Sequence, residues 1–216
     1  MIIKEVQLYT NNLPATKYFY DKIMSFEIFE QTNNSFGFKA GDSQVIFHEI
    51  MNEKPVYHFA FHIPNNKLHE ALEWVNERTP VLPFSENSLV ADFKNWNARS
   101  FYFHDNNQNI VELITHYDRK IESGKPFSAQ SIEMLIEIGL PAKDVLDTCK
   151  ELSAKYSIDY FSKGPVTNDF AVMGDDMGML IISKEDNTWL PVNQKVQKFK
   201  MKIQIENKDR MIDLDI

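Results

Sequence analysis

The sequence predicts an α+β protein assembled from repeats of one strand-helix-strand-strand-strand (βαβββ) unit, and three observations predict it. Short alternating runs, such as Phe199, Met201, Ile203 and Ile205, recur along the 216 residues. Sets of these runs are interrupted by stretches of helical period, with Leu68, Leu72 and Val75 on one stripe. Short phrases also return: Leu13-Pro-Ala15 as Leu140-Pro-Ala142, and Phe36-Gly-Phe-Lys-Ala-Gly-Asp42 as Phe170-Ala-Val-Met-Gly-Asp175.

In the first copy, Ile3 to Thr10 reads as a strand and Pro14 to Ile23 as a helix opened by the Asn11-Asn12 turn. Strands near Glu27–Gln31, Phe36–Ala40 and Gln44–Ile50 follow, with Asn33-Asn34 and Gly41-Asp42 as hairpin turns. The second copy starts at Tyr57–Ile63 and continues through a helix from Asn66 to Arg78. Its strands are near Val81–Phe84, Ser100–His104 and Ile110–His116, with a longer excursion from Glu86 to Arg99 of the kind that covers binding sites. Gly124-Lys-Pro126 reads as a linker, and Ser131 to Lys184 as a third copy with a helical stripe of Val145, Cys149, Leu152 and Tyr156. One more strand, Lys198 to Glu206, starts an unfinished fourth copy or pairs with the third sheet. The expected division is residues 1–120, a linker over 121–130, and 131–216.

Composition narrows the functions. Sixteen Phe, eight Tyr and three Trp supply a large core, and the net charge of −8 with no basic cluster argues against nucleic acid as a partner. No apolar run approaches membrane-spanning length. The lone Cys149 excludes an internal disulfide and suits a reducing cytoplasm, where it reads as a buried core thiol. Gly-rich phosphate loops, G-x-S-x-G elbows and Cys-x-x-Cys pairs are absent from the sequence.

The densest signal is Ser100-Phe-Tyr-Phe-His-Asp-Asn-Asn-Gln-Asn-Ile-Val-Glu-Leu-Ile114. Alternation puts Ser100, Tyr102 and His104 on one face, and Glu112 then sits in an apolar run where a carboxylate is costly without a partner. This phrase resembles the end of a module in the vicinal-oxygen-chelate superfamily, which includes glyoxalase I, extradiol dioxygenases and fosfomycin-resistance thiol transferases. That superfamily's phrase is S-x-Y-F-x-D-P-D-G-N-x-x-E-L, and Asn106-Asn107-Gln108 here replaces Pro-Asp-Gly. The resemblance implies that the first two modules pair into a curved, cup-shaped mixed sheet whose concave face holds the site. It also implies a divalent metal, Mn, Fe, Ni or Zn, held by Glu5, His58 and Glu112, with the fourth ligand position falling on Phe47. Against this stand plainer readings: Glu5 at the exposed start of an edge strand, His58 as a hydrogen-bonded structural residue, and Glu112 paired with Arg99 or a His.

All six His lie between His48 and His116. His62 and His104 share the expected cup face and, with Tyr102, are the candidate proton-transfer residues. Gln7, Phe47, Trp96, Asn97, Arg99 and Ser100 are the candidate substrate contacts, and Arg99 would serve an anionic ligand. The leading expectation is a metal-dependent lyase, transferase or dioxygenase acting on a small oxygen-rich molecule. The alternative is a metal-free sequestering protein of the bleomycin-resistance type, using Tyr9, Phe47, Trp96 and Tyr102 to hold an apolar compound. A homodimer built through the third module is a further expectation.

Overall fold

The computed structural model describes residues 1–216, apart from the side chain of Glu30. The first module runs β1 (Ile2–Thr10), α1 (Leu13–Tyr18), β2 (Ile28–Gln31), β3 (Ser35–Ala40) and β4 (Ser43–Glu49). Asn12 starts α1 by accepting the Ala15 N–H on its side chain, with Pro14 in the first turn where no N–H is missed. A π turn over Phe19–Ile23 then completes the helical stretch expected over 14–23. The second module comprises β5 (His58–His62), α2 (Leu68–Asn76), β6 (Val81–Leu82), β7 (Ala91–Phe93), β8 (Ala98–His104) and β9 (Ile110–His116). The third has β10 (Met134–Ala142), α3 (Val145–Tyr156), β11 (Phe170–Asp175) and β12 (Gly178–Lys184). Where its extra strand would lie there is an isolated bridge from Tyr160 to Met173. A small hairpin, β13 (Thr188–Trp189) and β14 (Gln194–Lys195), precedes a final one, β15 (Lys202–Asn207) and β16 (Arg210–Asp215).

The α+β class and the curved mixed sheets of repeated modules are as the sequence predicts. The pairing of modules differs. β1 pairs antiparallel with β15, and β5 pairs antiparallel with β10. The six-stranded sheet therefore has the order β16-β15-β1-β4-β3-β2, and the eight-stranded sheet β11-β12-β10-β5-β9-β8-β6 with β7 attached to β8. The first module joins the last hairpin, and the second module joins the third. The physical reason is that module opening strands meet edge to edge, and local sequence does not say which edges meet.

One face of each sheet enters a shared core. Phe36, Phe38, Phe47, Ile3 and Leu8 come from the first sheet, and Phe59, Phe61, Phe101 and Phe103 from the second. Ala71 and Val75 of α2 and Val145, Cys149 and Leu152 of α3 pack into the same core. Each fully buried aromatic or aliphatic side chain contributes on the order of 1.5–3 kcal/mol relative to exposure. Phe47 is fully buried and stacks on Tyr20 and Phe36, so strand parity turns it into the core and away from any cup.

The Asp105–Asn109 turn staples the modules together. Asp105 accepts the backbone N–H groups of Asn107 and Asn109 at 2.8 and 2.9 Å and the Tyr20 hydroxyl at 2.9 Å. Gln108 takes a left-handed φ of 67° where the resembled phrase has glycine. Asn106 donates to Thr16 Oγ1 at 3.1 Å, and Asn107 donates to Thr10, so the altered turn docks on the first module. None of the helices is long and apolar enough to cross a membrane.

Candidate metal centre

On its other face the eight-stranded sheet carries a second apolar cluster that includes Ala60, Tyr102, Ile114, Met134 and Ile181. Phe161, Trp189 and Val196, from segments that cross the cup, close over it. Under this cover lie His58, Glu112 and Glu137, whose ligand atoms fall within 4.8 Å of one another. They are 6 %, 2 % and 3 % exposed, so the cluster is sealed from bulk water on the protein side.

Each residue is placed by strand register. His58 opens β5, and Glu112 of β9 stands opposite Ala60, two residues further along β5. Glu137 of β10 also stands opposite Ala60, just past a bulge between Leu135 and Glu137. Thus β5 is the central strand, with one carboxylate arriving from each neighbour. The module repeat also locates the fourth corner. Gly139, two residues beyond Glu137, pairs with Ile181 on β12, so an aliphatic side chain occupies the position that Glu112 fills in the other half.

The His58 ring donates from Nδ1 to the Ile110 carbonyl at 3.2 Å. That bond leaves the Nε2 lone pair facing Glu112 Oε2 at 3.6 Å. Burial lowers the His58 pKa to about 4, against the opposing pull of the Ile110 carbonyl, and the ring is neutral at pH 7. Burial likewise pushes Glu112 up to about 7, while the Ser100 and Tyr102 hydroxyls pull it down. Ser100 Oγ nevertheless reaches no partner at hydrogen-bond geometry. Burial first, and then the Glu112 charge, hold Glu137 well above the usual carboxylate range. Glu137 Oε1 is fully buried and has no hydrogen-bond partner. An orphaned carboxylate oxygen, a second buried carboxylate and a lone pair on a neutral imidazole form a donor set that fits a divalent ion such as Mn²⁺, Fe²⁺, Ni²⁺ or Zn²⁺.

A cavity of about 350 Å³ opens from this floor, with Tyr102 beside the three donors. Its walls are Phe93, Trp96, Phe170, Ile181 and Leu190. Trp96 stacks on Phe93 at 5.5 Å between ring centroids. Tyr102 stands directly opposite Glu112, and burial followed by the Glu112 charge raises its pKa well above the phenol value, so it keeps its proton.

The other sequence candidates lie elsewhere. Glu5 and Gln7 are in the six-stranded sheet, where the Gln7 amide donates to Glu5 at 2.8 Å and Gln7 Oε1 faces His48 Nε2 at 3.2 Å. Asn97 donates to Asp118 and Arg99 is exposed beside Asp92 at 3.7 Å, so neither lines the cavity. His104 sits at the end of β8 with Nδ1 3.4 Å from the Asn109 carbonyl. His62 is at the far end of the cup: its Nε2 accepts the His116 backbone N–H at 3.2 Å and its Nδ1 donates to Glu133 at 3.0 Å, so neither ring nitrogen is available to a ligand. Stacked on it at 5.7 Å is His116, whose two buried ring nitrogens have no partner. Sequence reasoning missed Glu137, Trp189 and Ser183. For Glu137 the signal was present, a carboxylate inside Met134-Leu-Ile-Glu-Ile-Gly-Leu140.

Neither protein-family models nor curated protein sequences match this chain. Solved structures do. A putative dioxygenase from Bacillus subtilis subsp. subtilis str. 168 aligns over 100 % of this chain and 84 % of its own, at 11 % identity and a TM-score of 0.64. A mutant of glyoxalase I from Zea mays aligns over 90 % of this chain and 70 % of its own, at 13 % identity and a TM-score of 0.54. These likenesses show the fold alone, one shared with the putative dioxygenase and with glyoxalase I.

Proposed function

We propose that this chain is a metal-dependent enzyme of the glyoxalase or dioxygenase kind, acting on a small oxygen-rich molecule in the cup between its second and third modules. The observation that carries this reading is the buried, mutually facing set of His58 Nε2, Glu112 and the orphaned Glu137 oxygen. A divalent ion held there supplies a Lewis-acidic centre that polarises oxygen atoms of a bound substrate.

The remaining work falls to the chain's own residues. Ile110 fixes the His58 tautomer through its carbonyl, so Nε2 needs no reorganisation to act as a ligand. Tyr102, held protonated opposite Glu112, offers its hydroxyl as a proton donor beside the floor. The aromatic walls and the Trp189 hairpin exclude water from the reacting end. His62 and His104 drop out of this scheme: the first has both nitrogens engaged and neither lines the cavity.

The apolar walls support a second reading, in which the protein sequesters a compound without a metal. Titration of chelator-stripped protein with Mn²⁺, Ni²⁺ and Zn²⁺ separates them. The enzyme reading expects about one equivalent bound, lost in His58→Ala and Glu137→Gln. Failure of all three ions to bind would retire it in favour of the sequestering one.

A further inference from the structure

A second cavity, of about 730 Å³, lies where the three modules and their linker meet, and it shares no lining residue with the cup cavity. Gly41 and Asp42 bring the β3–β4 turn of the first module to it. Pro64 and Arg119 flank it from the second module, and Glu133 and Met134 from the start of β10. The turn is fitted closely. Gly41 has a φ of 58°, any Cβ there would overlap the Glu133 carbonyl, and the Asp42 N–H donates to that carbonyl at 2.8 Å. Both conformation and space therefore require glycine at this position.

The charges facing this cavity are incompletely matched. The Arg119 side chain is 8 % exposed, yet among the described residues its guanidinium makes one hydrogen bond, from Nη1 to the Met134 sulfur at 3.1 Å. Nη2 stands 3.9 Å from Glu133 Oε2, beyond hydrogen-bond reach. A guanidinium has five donors, so this one is buried with most of them unmet. Glu133 Oε2 accepts the His62 Nδ1–H at 3.0 Å, and no other side chain donates to that carboxylate among the described residues. Asp42 is exposed on the turn beside it. Asp176, a further carboxylate felt by Arg119, is taken by Lys163 at 2.7 Å. Glu122 and Lys125, exposed on the linker rim, are of opposite sign.

One buried cation and two carboxylates thus share a space, and a ligand of a single sign would meet an opposing wall. A ligand with both signs on neighbouring atoms would not. Its carboxylate would take the Arg119 fork, and its ammonium group would donate to Glu133 and Asp42. Pro64, Ile121 and Pro126 add apolar wall for a side chain.

We infer that this junction binds a free α-amino acid as its zwitterion, with Arg119 holding the carboxylate and Glu133 and Asp42 the ammonium group. The inference does not depend on the metal reading. Calorimetric titration with L-leucine, N-acetyl-L-leucine and L-leucinamide tests it, since the three share a side chain and the last two lack the ammonium group and the carboxylate in turn. L-Leucine should bind at about one equivalent, and each blocked analogue at least about tenfold more weakly. Arg119→Gln should weaken L-leucine by a similar factor. Asp42→Asn, an exposed change on a turn, should keep the fold and weaken it by a smaller one. His58→Ala should leave L-leucine binding unchanged, which separates the junction from the cup. Absence of saturable L-leucine binding overturns the inference, as does either blocked analogue binding as tightly as L-leucine, or loss of binding in His58→Ala.

Discussion

The six-stranded and eight-stranded sheets use one module design and treat the same strand position in opposite ways. Glu5 in β1 and Glu137 in β10 each follow a bulge, Glu5 opposite β15 of the final hairpin and Glu137 opposite β5 of the second module. Glu5 is half-buried and satisfied by Gln7, whereas Glu137 is 3 % exposed, has an orphaned oxygen and faces Glu112 and His58. The difference comes from what each sheet is joined to. β1 meets only a hairpin, and its outer face stays lined with polar groups such as Gln44, His48 and Gln204. β10 meets a whole module, and two further segments cover the result. A module supplies a carboxylate; its partner and cover decide whether that carboxylate becomes a site.

The sharpest way to break this comparison is to neutralise each carboxylate in turn. Glu137→Gln should abolish stoichiometric uptake of Mn²⁺ and Zn²⁺, a weakening of at least about a hundredfold, or ~2.7 kcal/mol. Glu5→Gln should leave uptake unchanged, and a loss of binding there of similar size would return the site to the first module.

Next in size is a pH effect at the far end of the same cup. Burial, then the charges of His62, Arg119 and Lys163, lower His116 to about 3. An unfolded His titrates near 6.5, so between these values the unfolded chain binds a proton that the folded one does not. Stability from this group is therefore lost as pH falls from about 6.5 towards about 3, by on the order of 4 kcal/mol. Glu112 and Glu137, raised by burial, act in the opposite sense, favouring the fold as pH falls from about 7. The difference between the parent protein and His116→Leu isolates the histidine. Urea midpoints at pH 7 and pH 4 should show a shallower acid loss in the variant, and parallel losses would refute the assignment.

Two glycines compare the sheets at smaller scale. Gly139→Ala collides with the Trp189 indole, which is 6 % exposed and pinned against His58, so it should cost roughly 1–3 kcal/mol and alter tryptophan emission. Gly37→Ala meets the end of the Phe29 ring at 2.7 Å, yet Phe29 is 39 % exposed and free to swing away. Its cost should stay near the ~0.5 kcal/mol of an ordinary surface change, measured by the same urea melts.

Much of this was legible in the chain. Alternation placed the strands, the stripe of Val145, Cys149, Leu152 and Tyr156 announced α3, and an isolated carboxylate in Ile110–Ile114 marked Glu112. Glu137 gave the same local signal, but its role depends on β10 lying beside β5. That contact joins residues far apart in sequence, and nothing in either strand's pattern distinguishes it from β5 lying beside β1. Trp189 was illegible for the same reason: an aromatic in a short irregular segment acquires meaning only from the Gly139 seat beneath it. Arg99 and Asn97 misled for local reasons: Arg99 has the opposite strand parity to Ser100 and Tyr102 and sits exposed beside Asp92, and the left-handed turn at Asn97 gives its amide to Asp118.

The union of β1 with β15 also imposes a calendar on synthesis. Every strand of the eight-stranded sheet lies within residues 58–184, so the candidate centre can be assembled while the ribosome is still adding the last hairpin. Until residues 202–207 emerge, β1 presents a bare row of N–H and C=O groups along the edge that β15 will take. The nascent chain thus carries a pocket whose strands are all made and a border still to be paired, and β15 is the segment that closes it.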